Sequence, residues 1–155
     1  MKAEAREFLA GRHVATLGTF NPRGSIHLAA VWYLWDPDQQ TLSVPTGAST
    51  RKARNVSARS EASLMVDSRT HGRYRGVAAT GRATILTREQ AHERNALIHA
   101  RYITEDGLKH PDFGPVYAEA DDITIVLAVE RSRWWNLADA FAPGLESKYL
   151  YRLDE

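Results

Sequence analysis

Residues 25–35 read SIHLAAVWYLW, and this stretch decides the architecture. In an extended chain Ile26, Leu28, Ala30, Trp32 and Leu34 share one face, while Ala29, Val31, Tyr33 and Trp35 share the other. A half-wet antiparallel strand alternates apolar with polar residues. This one is apolar on both faces from Leu28 onward. One face is therefore expected to be barrel core. The other needs a helix, a ligand or a second subunit against it.

Upstream, Asn21-Pro22-Arg23-Gly24 is a turn signal, and His13 to Thr19 (HVATLGT) is the strand it joins to form a hairpin. Ala3 to Ala10 reads as a short helix that buries Phe8 and Leu9 and ends at Gly11. Downstream, Thr41 to Thr46 is a third strand, in which Pro45 belongs at a bulge, a strand end or an edge. Ala62 to Asp67 is a fourth, Arg73 to Leu86 a fifth with a bend at Gly81, and Asp122 to Glu130 a sixth. Thr50 to Arg59 and Thr87 to Tyr102 read as helices. The second has a Thr87–Gln90 capping box and an apolar stripe of Ala91, Leu97, Ile98 and Tyr102. Thr104 to Ala120 holds two glycines and two prolines and reads as loop with one short helical turn at most. Past the paired tryptophans, the tail reads as a short helix and a weakly structured end. Closure into a barrel hides the sheet edges. A β-sandwich accommodates the same strands. A parallel α/β sheet does not, because the first strands follow one another too quickly for helical crossovers.

The chain has 155 residues, enough for one domain with a sizeable core, and its formal net charge is +1. Nothing global draws it to nucleic acid or to an acidic membrane, so an anion site has to come from a local cluster. There is no cysteine, which excludes disulfides, thiolate metal sites and cysteine nucleophiles and suits a reducing compartment. The N-terminus MKAEAREFLAGRHVATLG is not a secretory signal, and no run reaches membrane-spanning length. A cytoplasmic protein is expected.

The local cluster is TGASTRKARN, residues 46–55. Gly47 lets backbone approach a ligand closely. Ser49 and Thr50 offer hydroxyls, and either can cap the helix that follows. The helix start offers amides and the positive end of its dipole. Arg51, Lys52 and Arg54 bring charge, although on a regular helix the arginines cannot both point where Lys52 points. A basic surface helix with an ordinary cap has the same spacing. Asn55 reads as a structural tie. No Walker loop, GxSxG elbow or HExxH pair is present. The six histidines are scattered and read as surface or capped residues.

Taken in order, VATLGTFNPRGSIHLAAVWYLWD, LSVPTGASTRKARN, ASLMVD, YRGVAATGRATIL and IVLAVERSRWW resemble the pyridoxamine 5′-phosphate oxidase-like superfamily, whose members bind FMN or, in one branch, the deazaflavin F420. The resemblance implies a mostly β, six-stranded antiparallel split β-barrel with two or three short helices, one domain over residues 1–155. It also implies a homodimer with the cofactor at the subunit interface. Lys52 matches the phosphate-binding lysine, with Arg51, Ser49 and Thr50 close to the same phosphate. Val31, Trp32 and Tyr33, with Val44 to Thr46 and Gly47, border the ring. Tyr74, Arg75 and Gly76 approach from the partner subunit, and Trp134 or Trp135 closes the pocket. The implied activity is an oxidoreductase passing hydride to or from a small unsaturated or quinone-like substrate. A non-catalytic FMN or F420 carrier or sensor, or a haem-binding split barrel, is the alternative. The arginine-containing C-terminal signature of the true oxidases is matched only weakly by Arg131 and Arg133, which argues against vitamin B6 oxidation.

Overall fold

In the computed structural model, which describes residues 1–68 and 74–137, the hairpin forms as expected. β1 (Ala15–Phe20) pairs antiparallel with β2 (Ile26–Val31), from Ala15 opposite Val31 to Phe20 opposite Ile26. Gly24 takes a φ of 86° in the turn, a conformation that favours glycine. Gly24 also donates its amide to the Asn21 carbonyl at 2.9 Å.

The long second strand does not continue to Trp35. It stops at Val31, and a new strand, β3 (Leu34–Asp36), starts after Trp32 and Tyr33. The reason is a corner held by a side chain. The Tyr102 hydroxyl accepts the Tyr33 amide at 3.4 Å and lies 2.8 Å from the His13 carbonyl and 3.2 Å from the Tyr33 carbonyl. Backbone groups that a straight strand would pair in a ladder are served here by a phenol. The sheet therefore has seven strands rather than six, with β4 (Thr41–Thr46), β5 (Glu61–Ser68), β6 (Arg75–Thr87) and β7 (Ile123–Asn136).

Their order is β2-β1-β5-β6-β7-β4-β3, and every pairing is antiparallel. The two end strands are consecutive in the chain and joined by two residues, so the sheet has to curl until its edges meet at Trp32–Tyr33. The inner surface is the core: Leu17, Tyr33, Leu42, Val44, Leu64, Val66, Ile125 and Leu127 are all fully buried. β6 and β7 pair along their whole lengths, with a register shift at Thr80/Gly81. A side chain on Gly81 would collide with the Ala128 carbonyl, so the expected bend sits where only a glycine fits. β7 continues well past Glu130 because β6 offers it a partner as far as Arg75. Pro45 lies where β4 has passed the end of β3 and pairs with β7 alone, a strand-end position.

Five helices are present among the described residues, against the two or three expected. α1 (Ala3–Ala10) buries Phe8 and Leu9 and ends at Gly11 with φ −69°, in extended rather than left-handed backbone. Its last carbonyls are satisfied from elsewhere. The Tyr33 hydroxyl donates to Leu9 at 3.0 Å, and Arg101 donates to Ala10 at 2.6 Å and to Gly11. α2 (Arg51–Ala58) follows β4. α3 (Arg88–Tyr102) begins with Arg88 at φ 54°, and Thr87 caps no amide, so the capping box is not formed. Its buried face is Ala91, Asn95, Ile98 and His99, while Leu97 is 60% exposed. Asn95 is accepted inside because it donates to the Asp121 and Ile123 carbonyls and accepts from the Thr124 hydroxyl at 2.6 Å. The segment read as loop folds into α4 (Glu105–Lys109), capped by the Thr104 hydroxyl, and α5 (Gly114–Ala120), which has a proline in its first turn. The loop at residues 69–73 and the tail after residue 137, with its expected short helix, lie outside the described residues.

Candidate functional site

α2 is held in place by its own polar residues. Thr50 is the cap, its hydroxyl accepting the Ala53 amide and sharing a hydrogen bond with Thr46 at 3.1 Å. Asn55, almost fully buried, donates to the Thr19 hydroxyl at 3.1 Å and to the Asn21 side-chain oxygen at 3.2 Å. These bonds pin the helix to the β1–β2 hairpin and decide which way its first turn faces. Ala53, Asn55 and Val56 point inward, Arg51 and Arg54 are exposed, and Lys52 lies half-buried between them.

Lys52 opens onto a cavity of about 250 Å³. Val14, Ala30, Val31 and Trp32 line one part of it, and Pro45, Tyr117 and Asp121 the rest. Burial lowers the Lys52 pKa, and the Asp121 carboxylate opposes that shift. Among the described residues no carboxylate comes within ion-pairing distance of this ammonium. A half-desolvated cation facing a cavity is suited to receive an anion.

The other expected contacts divide. Trp32 lines the cavity, and two tyrosines stack on its ring. Tyr102 stacks on it at 5.1 Å and 2°, and Tyr117 at 5.1 Å and 25°. Tyr33 next to it turns its ring into the core, leaving only backbone near the corner. Ser49 is exposed, and its carbonyl accepts from Arg54 at 2.8 Å. Thr46 is buried. Gly47 does admit a close approach, but the group beside it is the Ala120 carbonyl, 2.8 Å from where a Cβ would sit. Arg51 lines a different groove with Arg23, Ser25 and His27.

Tyr74, Arg75 and Trp135 do not line the Lys52 cavity in this chain. Along the register Val31 pairs with Ala15, Ala15 with Val66, Val66 with Val77, and Val77 with Trp134. Four strand steps along the curled sheet lie between the two. Arg75 faces another cavity, about 260 Å³, with Glu4, Glu7, Phe8, Trp134 and Asn136. Trp134 packs on Phe8 at 5.6 Å, while Trp135 lies over Gly76, where no side chain would fit.

Three residues that line or support the cavity carried no sequence signal. Asp121 reads as the residue before a strand, Tyr117 as loop and His99 as a surface histidine. In the fold His99 Nε2 is 2.9 Å from Asp121 Oδ2, and the His99 ring packs edge-on against Tyr117 at 5.8 Å. A helical reading of residues 114–120 was available from Pro115 at the first turn. The contact with Trp32 was not.

No described helix is long and apolar enough to cross a membrane. The sequence profile of the family described as pyridoxamine 5′-phosphate oxidase matches residues 1–132. No curated protein matches the chain. Among solved structures, a conserved hypothetical protein from Mycobacterium tuberculosis is 25% identical with a TM-score of 0.73, the match covering 90% of this chain and 87% of that one. A protein described as an F420 reductase is 20% identical with a TM-score of 0.65, covering 86% and 98%. A haem-binding protein from Mycobacterium smegmatis is 20% identical with a TM-score of 0.64, and this match covers 85% of the chain but only 52% of that protein.

Proposed function

The chain belongs to the pyridoxamine 5′-phosphate oxidase family, and from that premise we propose that it is an oxidoreductase using FMN or the deazaflavin F420. The observation that carries the reading is Lys52, half-buried at the first turn of α2 and facing a cavity with no carboxylate bonded to it among the described residues. Lys52 would hold the cofactor's phosphate, with the Ser49 hydroxyl and Arg51 at its border. Val31, the edge of Trp32 and the backbone from Val44 to Gly47 would border the ring. When bound, the cofactor supplies the hydride chemistry. The residues around it would bind, orient and exclude water. The acceptor or donor is a small unsaturated or quinone-like molecule.

The functional unit is a homodimer. Ile26 and Leu28 on the outer face of β2 are 57% and 65% exposed, beside the exposed Val14 and Met65. Exposed large apolar side chains grouped on one sheet face suit an interaction surface. Tyr74, Arg75 and Trp135 form a second set of groups, which line no part of the Lys52 cavity in their own chain. A partner copy would bring them to the cofactor.

Titration of the purified protein with FMN and with F420, followed by absorbance and fluorescence, tests the reading. Binding of one of them, weakened at least tenfold by Lys52→Ala, is expected. If neither binds, or if Lys52→Ala leaves affinity unchanged, the reading fails. Oxidation of NADPH or of reduced F420 with a panel of quinones and enones separates an enzyme from a carrier.

A further inference from the structure

We propose that the cavity between α1 and the ends of β6 and β7 is a second binding site, separate from that of Lys52, for a small zwitterion. Its ligand carries a carboxylate and an ammonium on an apolar or aromatic body the size of an amino acid. Every residue that lines the cavity belongs to one chain, so the inference goes beyond the cofactor reading and stands without it.

The cavity measures about 260 Å³. Pockets for drug-sized ligands run to roughly 300–1,000 Å³, so this one suits a smaller guest. Its lining divides by chemistry. Glu4 and Glu7, three residues apart on α1 and so on one side of the helix, bring two carboxylates. Phe8 and Trp134 bring aromatic walls, their rings 5.6 Å apart and tilted at 57°. Arg75 brings a guanidinium from β6, and Asn136 an amide from β7.

These charges do not cancel within the chain. Arg75 lines the cavity with both glutamates, yet among the described residues no carboxylate lies within ion-pairing distance of it. Its guanidinium lies over the Phe8 ring, 5.2 Å from the centroid. Arg75 Nε is buried and has no hydrogen-bond partner. Buried donors are nearly always paired, so this one calls for an acceptor from outside the chain. The field at His13 agrees. After burial, Arg75 and then Arg101 lower its pKa, and no acidic side chain raises it. A planar guanidinium grips a carboxylate through two parallel N–H bonds. Ionised glutamates only accept, and an ammonium supplies three donors. A carboxylate without an amine would face Glu4 and Glu7, and an amine without a carboxylate would face Arg75. A zwitterion satisfies both, with its apolar body against Phe8 and Trp134. Arg75 is also among the groups proposed to approach a cofactor across the dimer, and a ligand on it would lie at the border of that site.

The test uses three probes that share a phenyl ring. L-phenylalanine has both charges, 3-phenylpropionate lacks the amine, and 2-phenylethylamine lacks the carboxylate. Each is titrated into the full-length protein at pH 7.5, with no flavin or deazaflavin added, and followed by calorimetry and ligand-observed NMR. L-phenylalanine is expected to bind at least fivefold tighter than either of the others. Arg75→Gln is expected to weaken phenylalanine and phenylpropionate at least fivefold and not to weaken phenylethylamine. Glu4→Gln combined with Glu7→Gln, both at exposed positions, is expected to weaken phenylalanine and phenylethylamine and to spare phenylpropionate. This exposed pair keeps the test decisive if Arg75→Gln does not fold. Absence of phenylalanine binding at millimolar concentration overturns the inference. An acid or an amine that binds as tightly as phenylalanine overturns the zwitterion. Binding that neither variant changes overturns the site. With no cofactor present, none of these outcomes bears on Lys52, and failure of the cofactor titrations leaves them standing.

Discussion

Tyr33→Phe removes one hydroxyl from the core and nothing else. That hydroxyl donates to the Leu9 carbonyl at 3.0 Å, and burial, followed by the neighbouring Tyr102, pushes its pKa well above the ordinary value, so it stays a neutral donor. The expected loss is about 1 kcal/mol, read in urea melts. Asn55→Ala should cost about 2 kcal/mol, because it leaves Thr19 and Asn21 without their buried donor. It should also weaken cofactor binding, although Asn55 lies on the inward face, because those bonds aim the first turn of α2. Lys52 and Asn55 were legible as residues, one as a charge at a helix start and the other as a structural tie. Tyr33 and Asp121 were not. Whether an aromatic at a strand corner faces a ligand or the core depends on which way the corner turns, and here Tyr102, sixty-nine residues away, turns it.

At the scale of elements, α1 is held to the barrel mainly at its C-terminal end. Arg101 and Tyr33 satisfy the carbonyls there, and Phe8 stacks on His13 at 4.4 Å. Burial, then the charges of Arg75 and Arg101, lower the His13 pKa from its ordinary 6.5. The unfolded chain therefore takes up a proton near that pH which the folded chain refuses. Stability should fall as the pH drops through that range, and the fall should level off once the folded histidine also protonates. His13→Phe keeps a ring on Phe8 and should flatten the decline in thermal midpoint between pH 7 and pH 5. Gly47→Val should unseat the end of α5, because a side chain there meets the Ala120 carbonyl. Loss of the Trp32–Tyr117 stack, followed by tryptophan fluorescence, is the expected sign. Most elements were legible from periodicity and turn residues, and β4 and α1 agree to the residue. The misses have local causes. β2 breaks at a corner, β7 is prolonged by its partner β6, and α5 is a short helix announced only by a proline.

At the scale of the whole molecule, the proposed dimer would cover the exposed Ile26 and Leu28 face and bring the two sets of proposed site residues together. The protein is expected to sediment as a dimer. Leu28→Asp should shift it toward monomer and lower cofactor affinity together, and a variant that turned monomeric yet bound cofactor normally would separate the two. The sequence by itself determined the class of the sheet, the hairpin, the helix that carries Lys52 and the need to cover a doubly apolar strand. These follow from side-chain alternation, turn chemistry and charge over a few neighbouring residues. Only the tertiary structure decided the charge balance around that lysine. Tyr117 and Asp121 reach the cavity from α5 and its C-terminal cap, more than sixty residues downstream, with His99 of α3 bonded to Asp121, and no local pattern encodes a meeting made by the curl of the sheet. Within that cluster Lys52 is the half-buried cation, opposed by Asp121, while the Ala48 amide and the Arg54 guanidinium are engaged within the fold.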